Sequence, residues 1–152
     1  QLQAAVVARP EKPQAGKLTW HVVAQRPLRL LIPPGESVGQ LRDLMQRLNW
    51  VRYSRHTTTG RLAAQIVHRY VPDKRSIVEL DTISAVAGMV SAGHGFSVAH
   101  VLDDTLPARY PMQCLPLGRN VPTFDIALVH RKGDEDDRAI DVLLQAVRRT
   151  LR

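Results

Sequence analysis

The sequence has little cysteine, few aromatic side chains and no long apolar run. Only one of its 152 residues, Cys114, is a cysteine, so an internal disulfide and a multi-cysteine metal site are both excluded. Aromatic residues make up 5% of the chain, which disfavours the base-stacking surface of a nucleic-acid-binding domain. Every apolar stretch is interrupted or shorter than the roughly 20 residues of a membrane-spanning helix. We therefore expect no membrane span.

The first residues, QLQAAVVARPEKPQ, also lack the basic, apolar and small-residue segments of a secretory signal, in that order. A signal that had already been removed would leave the same pattern. Together with the single cysteine, this start favours a reducing, cytoplasmic setting.

Most of the positive charge of the chain comes from arginine. It has 17 Arg and 4 Lys against 14 acidic residues, a formal net charge of +7. The planar guanidinium group binds carboxylate and phosphate through two donors, which favours small anionic ligands. The alternative is a compositional bias that spreads arginine over the surface. Because the arginines are scattered along the chain, we do not expect a nucleic-acid interface.

The hydrophobic pattern alternates between strands and helices. We predict strands over residues 2–8, 18–24, 27–32, 50–53, 77–80, 96–101, 112–117 and 124–129, and helices over residues 38–49, 61–70 and 83–92. A last helix is expected to begin within residues 133–137 and to run to residue 151. The residues expected to face inward are Leu62, Ile66 and Tyr70 in the second helix and Ile140, Leu143, Leu144, Val147 and Leu151 in the last. Gln25 and Arg26 are expected to form a hairpin-like turn between the second and third strands. Ser37 is a candidate N-cap for the first helix, and Asp81 or Thr82 for the third. This alternation predicts an α/β fold with a mainly parallel sheet.

Polar turns follow three of the predicted strands, in the sequences PPGES, SRHTTTG and ELDT. In open α/β sheets, ligands bind beyond the carboxyl ends of strands and against helix N-termini. The stretch Tyr53–Gly60 concentrates hydroxyl, guanidinium and imidazole groups that fit a bound carboxylate. A capped helix start with a solvated loop is the alternative interpretation. The same two interpretations apply to Glu79–Thr82.

No arrangement of residues favours catalysis or metal binding. Cys114 lies in the apolar run MQCLPL with no histidine near it in sequence, as expected of an inert core thiol. The six histidines form neither an HxH motif nor a helical i, i+4 pair. We therefore expect no enzymatic activity, no metal and no cofactor.

The order of these segments resembles the regulatory domain of LysR-type transcriptional regulators. The run VELDTISAVAGMVSAGHGFSVAHVLDDTLP is similar to the family's helix, glycine turn and strand. LQAAVVARP, PLRLLIPP and WVRYSRHTTTG resemble three of its strands with the effector loop, and TFDIALVHRKGDEDDRAIDVLLQAVRRTLR resembles its closing strand and helix.

This resemblance implies a type II periplasmic-binding-protein-like fold, in which two α/β lobes are joined by crossover strands around a small effector. It places an incomplete first lobe at residues 1–33 and 120–152 and the second lobe at residues 34–119. The family's winged helix-turn-helix has no counterpart in this chain, so DNA binding would belong to an N-terminal domain outside it. The resemblance also implies a homodimer or tetramer.

The function that the resemblance implies is sensing of a small organic effector, expected to be a carboxylate, in the cleft between the lobes. The residues that it assigns to the effector are Arg9, Ser54, Arg55, His56, Thr57, Thr58, Thr82, Ile83 and Gly95. The alternative is a solute-binding protein or a transferase of the same fold. That alternative requires an export signal or a reactive residue in the cleft, and the sequence shows neither.

Overall fold

A computed structural model describes residues 3–10, 12–13, 16–102, 104–134 and 137–151. The strands are β1 (Ala4–Ala8), β2 (Leu18–Ile32), β3 (Trp50–Tyr53), β4 (Ser76–Leu80), β5 (Ser97–His100), β6 (Gln113–Pro116) and β7 (Thr123–Arg131). The helices are α1 (Leu41–Arg47), α2 (Thr58–Tyr70), α3 (Ile83–Ser91), α4 (Thr105–Arg109) and α5 (Arg138–Thr150). Residue 2, where we expected the first strand to begin, lies outside the described residues.

The chain divides into two compact units. Unit 1 contains Gln1–Arg26 and Thr123–Arg152, and unit 2 contains Pro27–Pro122. The assignment of residues 1–33 and 120–152 to a partial first lobe, and of residues 34–119 to a second lobe, stays a prediction.

Unit 1 is built on β1, β7 and the first part of β2, with β7 between the other two strands. β1 pairs with β7 antiparallel, with Ala4 opposite His130 and Ala8 opposite Ile126. Asp137 caps α5 by accepting a hydrogen bond of 2.8 Å from the Ala139 backbone N–H. Ile140 of this helix is buried as expected, but Leu143, which we also expected to face inward, is 40% exposed.

β2 is one strand of 15 residues, so the predicted turn at Gln25 and Arg26 is wrong. Tight hairpin turns need residues that adopt positive φ, such as Gly or Asn, and neither stands here. The Gln25 amide instead donates to the Asp125 carboxylate at 3.0 Å, and the Arg26 guanidinium donates to the Leu151 carbonyl. These contacts hold the segment extended.

Unit 2 contains a mixed sheet, and the expectation of a mainly parallel sheet is wrong. β5 and β6 flank the second part of β2, and both run antiparallel to it. β3 and β4 are parallel, and a parallel bridge joins Trp50 to Phe96 just before β5. Strand direction depends on which strands become neighbours, and the local hydrophobic pattern does not contain that information.

The core of unit 2 lies between this sheet and helices α1 and α2. Its largest fully buried side chains include Trp50, Phe96, Met45 and Ile66. α2 contributes Ala63, Ala64, Ile66 and Val67 to this core. Of the face expected from the sequence spacing, Ile66 is fully buried, whereas Leu62 and Tyr70 are partly buried and pack against the core. The core fixes α2, and therefore the loop that precedes it, against the sheet.

α1 begins at Leu41, and the expected N-cap Ser37 lies before it in a segment without regular secondary structure. Residues 33–36 are held by the Gln113 amide, which donates to the carbonyl oxygens of Pro33, Pro34 and Glu36 at 3.2, 3.2 and 2.8 Å. Glu36 also pairs with Arg47 at 2.7 Å. The Glu36 N–H also donates to the Pro33 carbonyl at 3.2 Å, so residues 33–36 form a turn, and the contacts from distant Gln113 hold that turn in place.

Candidate functional site

The turn between β3 and α2 is built mainly from backbone contacts. Ser54 is 2% exposed, and its N–H donates to the Leu80 carbonyl at the end of β4 at 2.9 Å. The Ser54 carbonyl accepts from the Thr57 N–H at 3.1 Å and from the Thr57 hydroxyl at 2.8 Å. The Ser54 hydroxyl accepts from the His56 N–H at 3.3 Å. We call residues 54–58, which the sequence resemblance assigns to the effector, the effector loop.

Gly60 brings the effector loop against the first turn of α2. A Cβ atom at this position would lie 1.9 Å from the Ser54 carbonyl oxygen and 2.6 Å from that of Tyr53. No other residue fits this contact without moving the backbone. Gly60 therefore sets the distance between the loop and the helix.

The start of α2 presents hydrogen-bond donors beside the loop. Thr57 is the N-cap and its hydroxyl accepts from the Gly60 N–H at 2.9 Å. The N–H groups of Thr58 and Thr59, in the first turn, have no acceptor within the helix. Together with the positive end of the helix dipole, these donors favour an anion. The hydroxyl of exposed Thr58 lies at the same helix end.

Arg55 is paired with Glu79 of β4. The Glu79 carboxylate accepts from the Arg55 backbone N–H at 2.8 Å, from Nε at 2.9 Å and from Nη2 at 2.8 Å. The hydrogen bonds from Arg55 lower the pKa of Glu79 to about 2 and raise the pKa of Arg55. Both groups are therefore charged at neutral pH, and Arg55 is already engaged with a carboxylate.

A second arginine reaches the effector loop and was not among the predicted site residues. The Arg61 guanidinium donates to the Thr58 hydroxyl at 3.3 Å and to the Arg55 carbonyl at 3.5 Å. Its position three residues after Thr58 places it on the same helix face, a spacing that the sequence shows. Glu79 was also missed as a partner of the loop, because its register opposite Arg52 appears only once β3 and β4 pair.

Thr82 and Ile83 lie at the same edge of the sheet as the effector loop. β3 and β4 are parallel neighbours, so the turns that follow Tyr53 and Leu80 leave the sheet together. Thr82 is the N-cap of α3, and its hydroxyl accepts from the Ala85 N–H at 3.2 Å. The structure therefore brings the starts of α2 and α3 to one edge.

Gly95 lies at the other end of β3, and Arg9 belongs to the other unit. Gly95 precedes β5, near the first residue of β3, and a Cβ atom there would lie 2.2 Å from the Asn49 carbonyl oxygen. That close approach gives Gly95 a packing role at the opposite end of β3 from the effector loop. Arg9 belongs to unit 1, where its N–H donates to the Asp125 carbonyl at 2.8 Å beside a cavity of about 190 Å³. Its part in effector binding stays a prediction.

Behind the effector loop, Thr59 and His100 form a buried polar pair. The Thr59 hydroxyl lies 3.1 Å from His100 Nδ1, and the two residues are 8% and 6% exposed. Burial lowers the pKa of His100 to about 4, although the Pro122 carbonyl opposes the shift. His100 is therefore neutral at pH 7 and links the first turn of α2 to the end of β5.

In the part of the chain that the structure describes, we find no assembled groups for nucleophilic catalysis or metal binding. Burial raises the pKa of Cys114, which packs beside Leu31 and Ala99 as expected of a core thiol. Within the described ranges, no three or more His, Cys, Asp or Glu side chains come close enough to hold a metal ion. No helix among the described residues has both the length and the apolar character to cross a membrane.

Comparisons with known proteins identify the family. The LysR substrate binding domain family matches residues 1–152, the whole chain. No curated protein matches the sequence significantly. The chain therefore belongs to the LysR substrate-binding domain family, as the sequence resemblance predicted.

Solved structures with the same fold are regulatory domains. The reduced OxyR regulatory domain from Pseudomonas aeruginosa is 20% identical with a TM-score of 0.68, and the match covers 97% of this chain and 72% of that one. The CcmR regulatory domain from Synechocystis PCC6803, in complex with 2-PG, is 18% identical with a TM-score of 0.69, over 99% and 74% of the two chains. The QuiR effector-binding domain, in complex with shikimate, is 14% identical with a TM-score of 0.66, over 98% and 71%.

These likenesses confirm the predicted fold class. LysR regulatory domains have the type II periplasmic-binding-protein-like fold, and this chain shares it. The family consists of domains of transcription regulators that bind effectors.

Proposed function

We propose that the chain senses a small organic anion for a LysR-type transcriptional regulator and binds it at the effector loop. The observation that carries the proposal is the junction of the loop with α2. There, the N–H groups of Thr58 and Thr59, the Thr58 hydroxyl and the Arg61 guanidinium lie at one helix start. Donors of these kinds bind carboxylates.

Two relatives support a ligand of this kind. CcmR is described in complex with 2-PG and QuiR in complex with shikimate, which is a hydroxylated monocarboxylate. The hydroxyls of Thr58 and Thr82, at neighbouring helix starts, supply partners for the ligand's own hydroxyl groups. Arg9, Ser54, Arg55, His56, Thr57 and Ile83 complete the proposed set.

The remaining parts of the proposal follow from membership of the family. The chain acts without catalysis and without a cofactor, in the cytoplasm where transcription is controlled. It works as a homodimer or tetramer, and DNA is bound by a separate N-terminal domain of the whole regulator. Effector binding changes the conformation of the domain, and the other subunits respond to that change.

The test is a thermal-shift and calorimetric screen of small carboxylates, shikimate included, on the whole chain. A ligand at a hundred times its Kd stabilises the folded state by about 2.7 kcal/mol. We expect Thr58→Ala and Arg61→Gln to weaken binding by about tenfold each, because each removes a donor to the anion. Arg69→Gln is the matched control, since Arg69 is an exposed arginine in the last turn of the same helix.

Equal binding by the wild type, Thr58→Ala and Arg61→Gln would place the ligand elsewhere and contradict the proposed site. Arg9→Ala tests the remaining predicted residue. Unchanged affinity in this variant would remove Arg9 from the set and leave the effector loop as the binding element.

A further inference from the structure

The effector loop already holds an anion that belongs to the protein. The Glu79 carboxylate takes the backbone N–H and the guanidinium of Arg55, the one arginine of the loop itself. It also lies opposite Arg52 in the register of β3 and β4. An external carboxylate that bound Arg55 through Nε and Nη2 would have to displace Glu79 from these two donors.

On the other side of the loop, Arg61 is oriented differently. Its guanidinium contacts the Thr58 hydroxyl and the Arg55 carbonyl, which are uncharged groups. Arg61 therefore keeps its positive charge available for a ligand at the start of α2. The site is divided into a half neutralised by Glu79 and a cationic half beside Thr58.

We propose that Glu79 is the specificity-determining residue of this site and restricts the effector to molecules with a single carboxylate. The inference rests on the proposed function. The one carboxylate of the ligand binds at Thr58 and Arg61. A second carboxylate directed toward β4 finds the donors of Arg55 already taken by Glu79, and it meets the Glu79 carboxylate instead of a free cation.

The geometry favours exclusion of a second carboxylate over displacement of Glu79 from Arg55. The Glu79 side chain is 26% exposed and the Arg55 side chain 58%, so the carboxylate is the more enclosed partner. Glu79 stands on a strand whose neighbour β3 is fixed by the core residue Trp50, whereas Arg55 stands on the loop. Glu79 is therefore held in a fixed position at the edge of the site.

The experiment compares matched acids by calorimetry on the whole chain: succinamate with succinate, benzoate with phthalate, and shikimate as a further monocarboxylate. We expect the wild type to prefer the monocarboxylate of each matched pair by at least about tenfold. Glu79→Gln retains the shape of the side chain and removes its charge. We expect it to strengthen dicarboxylate binding by about tenfold while changing monocarboxylate binding by less than about twofold.

Three variants serve as controls. Glu79→Asp retains the charge and is expected to retain the preference. Arg55→Gln leaves the Glu79 charge in place without its cationic partner and is expected to increase the preference for the monocarboxylate, which tests the inference even when Glu79→Gln folds poorly. Asp73→Asn removes one exposed acid between α2 and β4 and is expected to leave the preference unchanged.

The outcomes separate this inference from the proposed function. Equal strengthening of both ligand classes in Glu79→Gln would mean that ligands displace Glu79, and it would overturn the inference while leaving the proposed function in place. Equal binding of both classes by the wild type would overturn it in the same way. Failure of every acid to bind any variant would overturn the proposed function, and the inference with it.

Discussion

His21 and His130 face each other on neighbouring strands of unit 1, and their Nε2 atoms are 2.9 Å apart. The rings are nearly parallel, at 14°, with centroids 5.1 Å apart. His130 is 2% exposed, and its Nδ1 donates to the Arg131 carbonyl at 2.8 Å. Because that nitrogen carries the His130 proton, Nε2 of neutral His130 accepts, and Nε2 of His21 donates.

This pair predicts an asymmetric response to mutation. We expect His21→Leu to lower the free energy of unfolding by about 1–3 kcal/mol, because it leaves the buried His130 acceptor unsatisfied. His21→Gln retains a donor and is expected to lose less. Urea denaturation measures both, with His94→Gln at an exposed position as the control. Equal losses in the two variants would show that the hydrogen bond contributes nothing.

The close packing around Gly60 predicts a large loss of folding stability when a side chain is added there. Gly60→Ala puts a Cβ atom against the carbonyl oxygens of Ser54 and Tyr53, so we expect about 3 kcal/mol or more of destabilisation. Gly39→Ala is the matched control, since a Cβ at Gly39 meets nothing within 4 Å. The midpoint of chemical unfolding reports both. A Gly60→Ala protein as stable as Gly39→Ala would contradict the close approach of loop and helix.

The N-cap hydrogen bond of Thr57 predicts a moderate loss of folding stability when its hydroxyl is removed. Thr57→Ala removes the acceptor for the Gly60 N–H and is expected to destabilise the chain by about 1 kcal/mol. Thr57→Ser retains the hydroxyl and is expected to recover most of that loss. Thermal unfolding of the three proteins checks the order. If Thr57→Ser is as unstable as Thr57→Ala, the hydroxyl is not the source of the stability.

His100 predicts a pH dependence of stability. Its pKa is lowered from 6.5 to about 4 in the folded protein, so the unfolded chain binds the proton more tightly. The resulting stability is complete above pH 6.5 and is lost as the pH falls from 6.5 to 4. We expect a loss of up to about 3 kcal/mol from this group.

The measurement is the free energy of unfolding at pH values from 7.5 to about 4, for the wild type and His100→Gln. The variant is expected to show a smaller decrease over that range. Glu79 titrates in a separate window, because its pKa is lowered from 4.5 to about 2 and its contribution is lost as the pH falls through those values. An identical pH slope in His100→Gln would contradict the assignment to His100.

The sequence alone predicts those helix starts that are determined locally. Thr82 caps α3 as expected from the alternatives Asp81 or Thr82, and the positive φ of 88° at Gly93 follows the end of that helix. The predicted start of α2 was three residues late, because Arg61 begins the apolar spacing whereas Thr57 forms the actual cap. Capping groups act within one turn, so the pattern of a few residues is sufficient to find them.

Features that depend on distant partners could not be predicted in this way. Gln113 holds the segment before α1, and Asp125 and Leu151 hold the middle of β2. The pairing of Arg55 with Glu79 depends on the neighbouring positions of β3 and β4, although the two residues are 24 positions apart in sequence. The sequence therefore indicated a polar turn between β3 and α2, but not which of its charges are already neutralised. Its role in effector binding stays a prediction.

The backbone contacts of Ser54 with Leu80, and the approach of Gly60 to Ser54, hold the effector loop largely through main-chain atoms. The side chains at positions 55, 56 and 58 are exposed, and among them the Arg55 guanidinium adds to that support through its pairing with Glu79. Such a loop tolerates diverse side chains on a constant frame. Under the proposed function, a combinatorial library at positions 55, 56, 58 and 79 would be a route to biosensors for new acids.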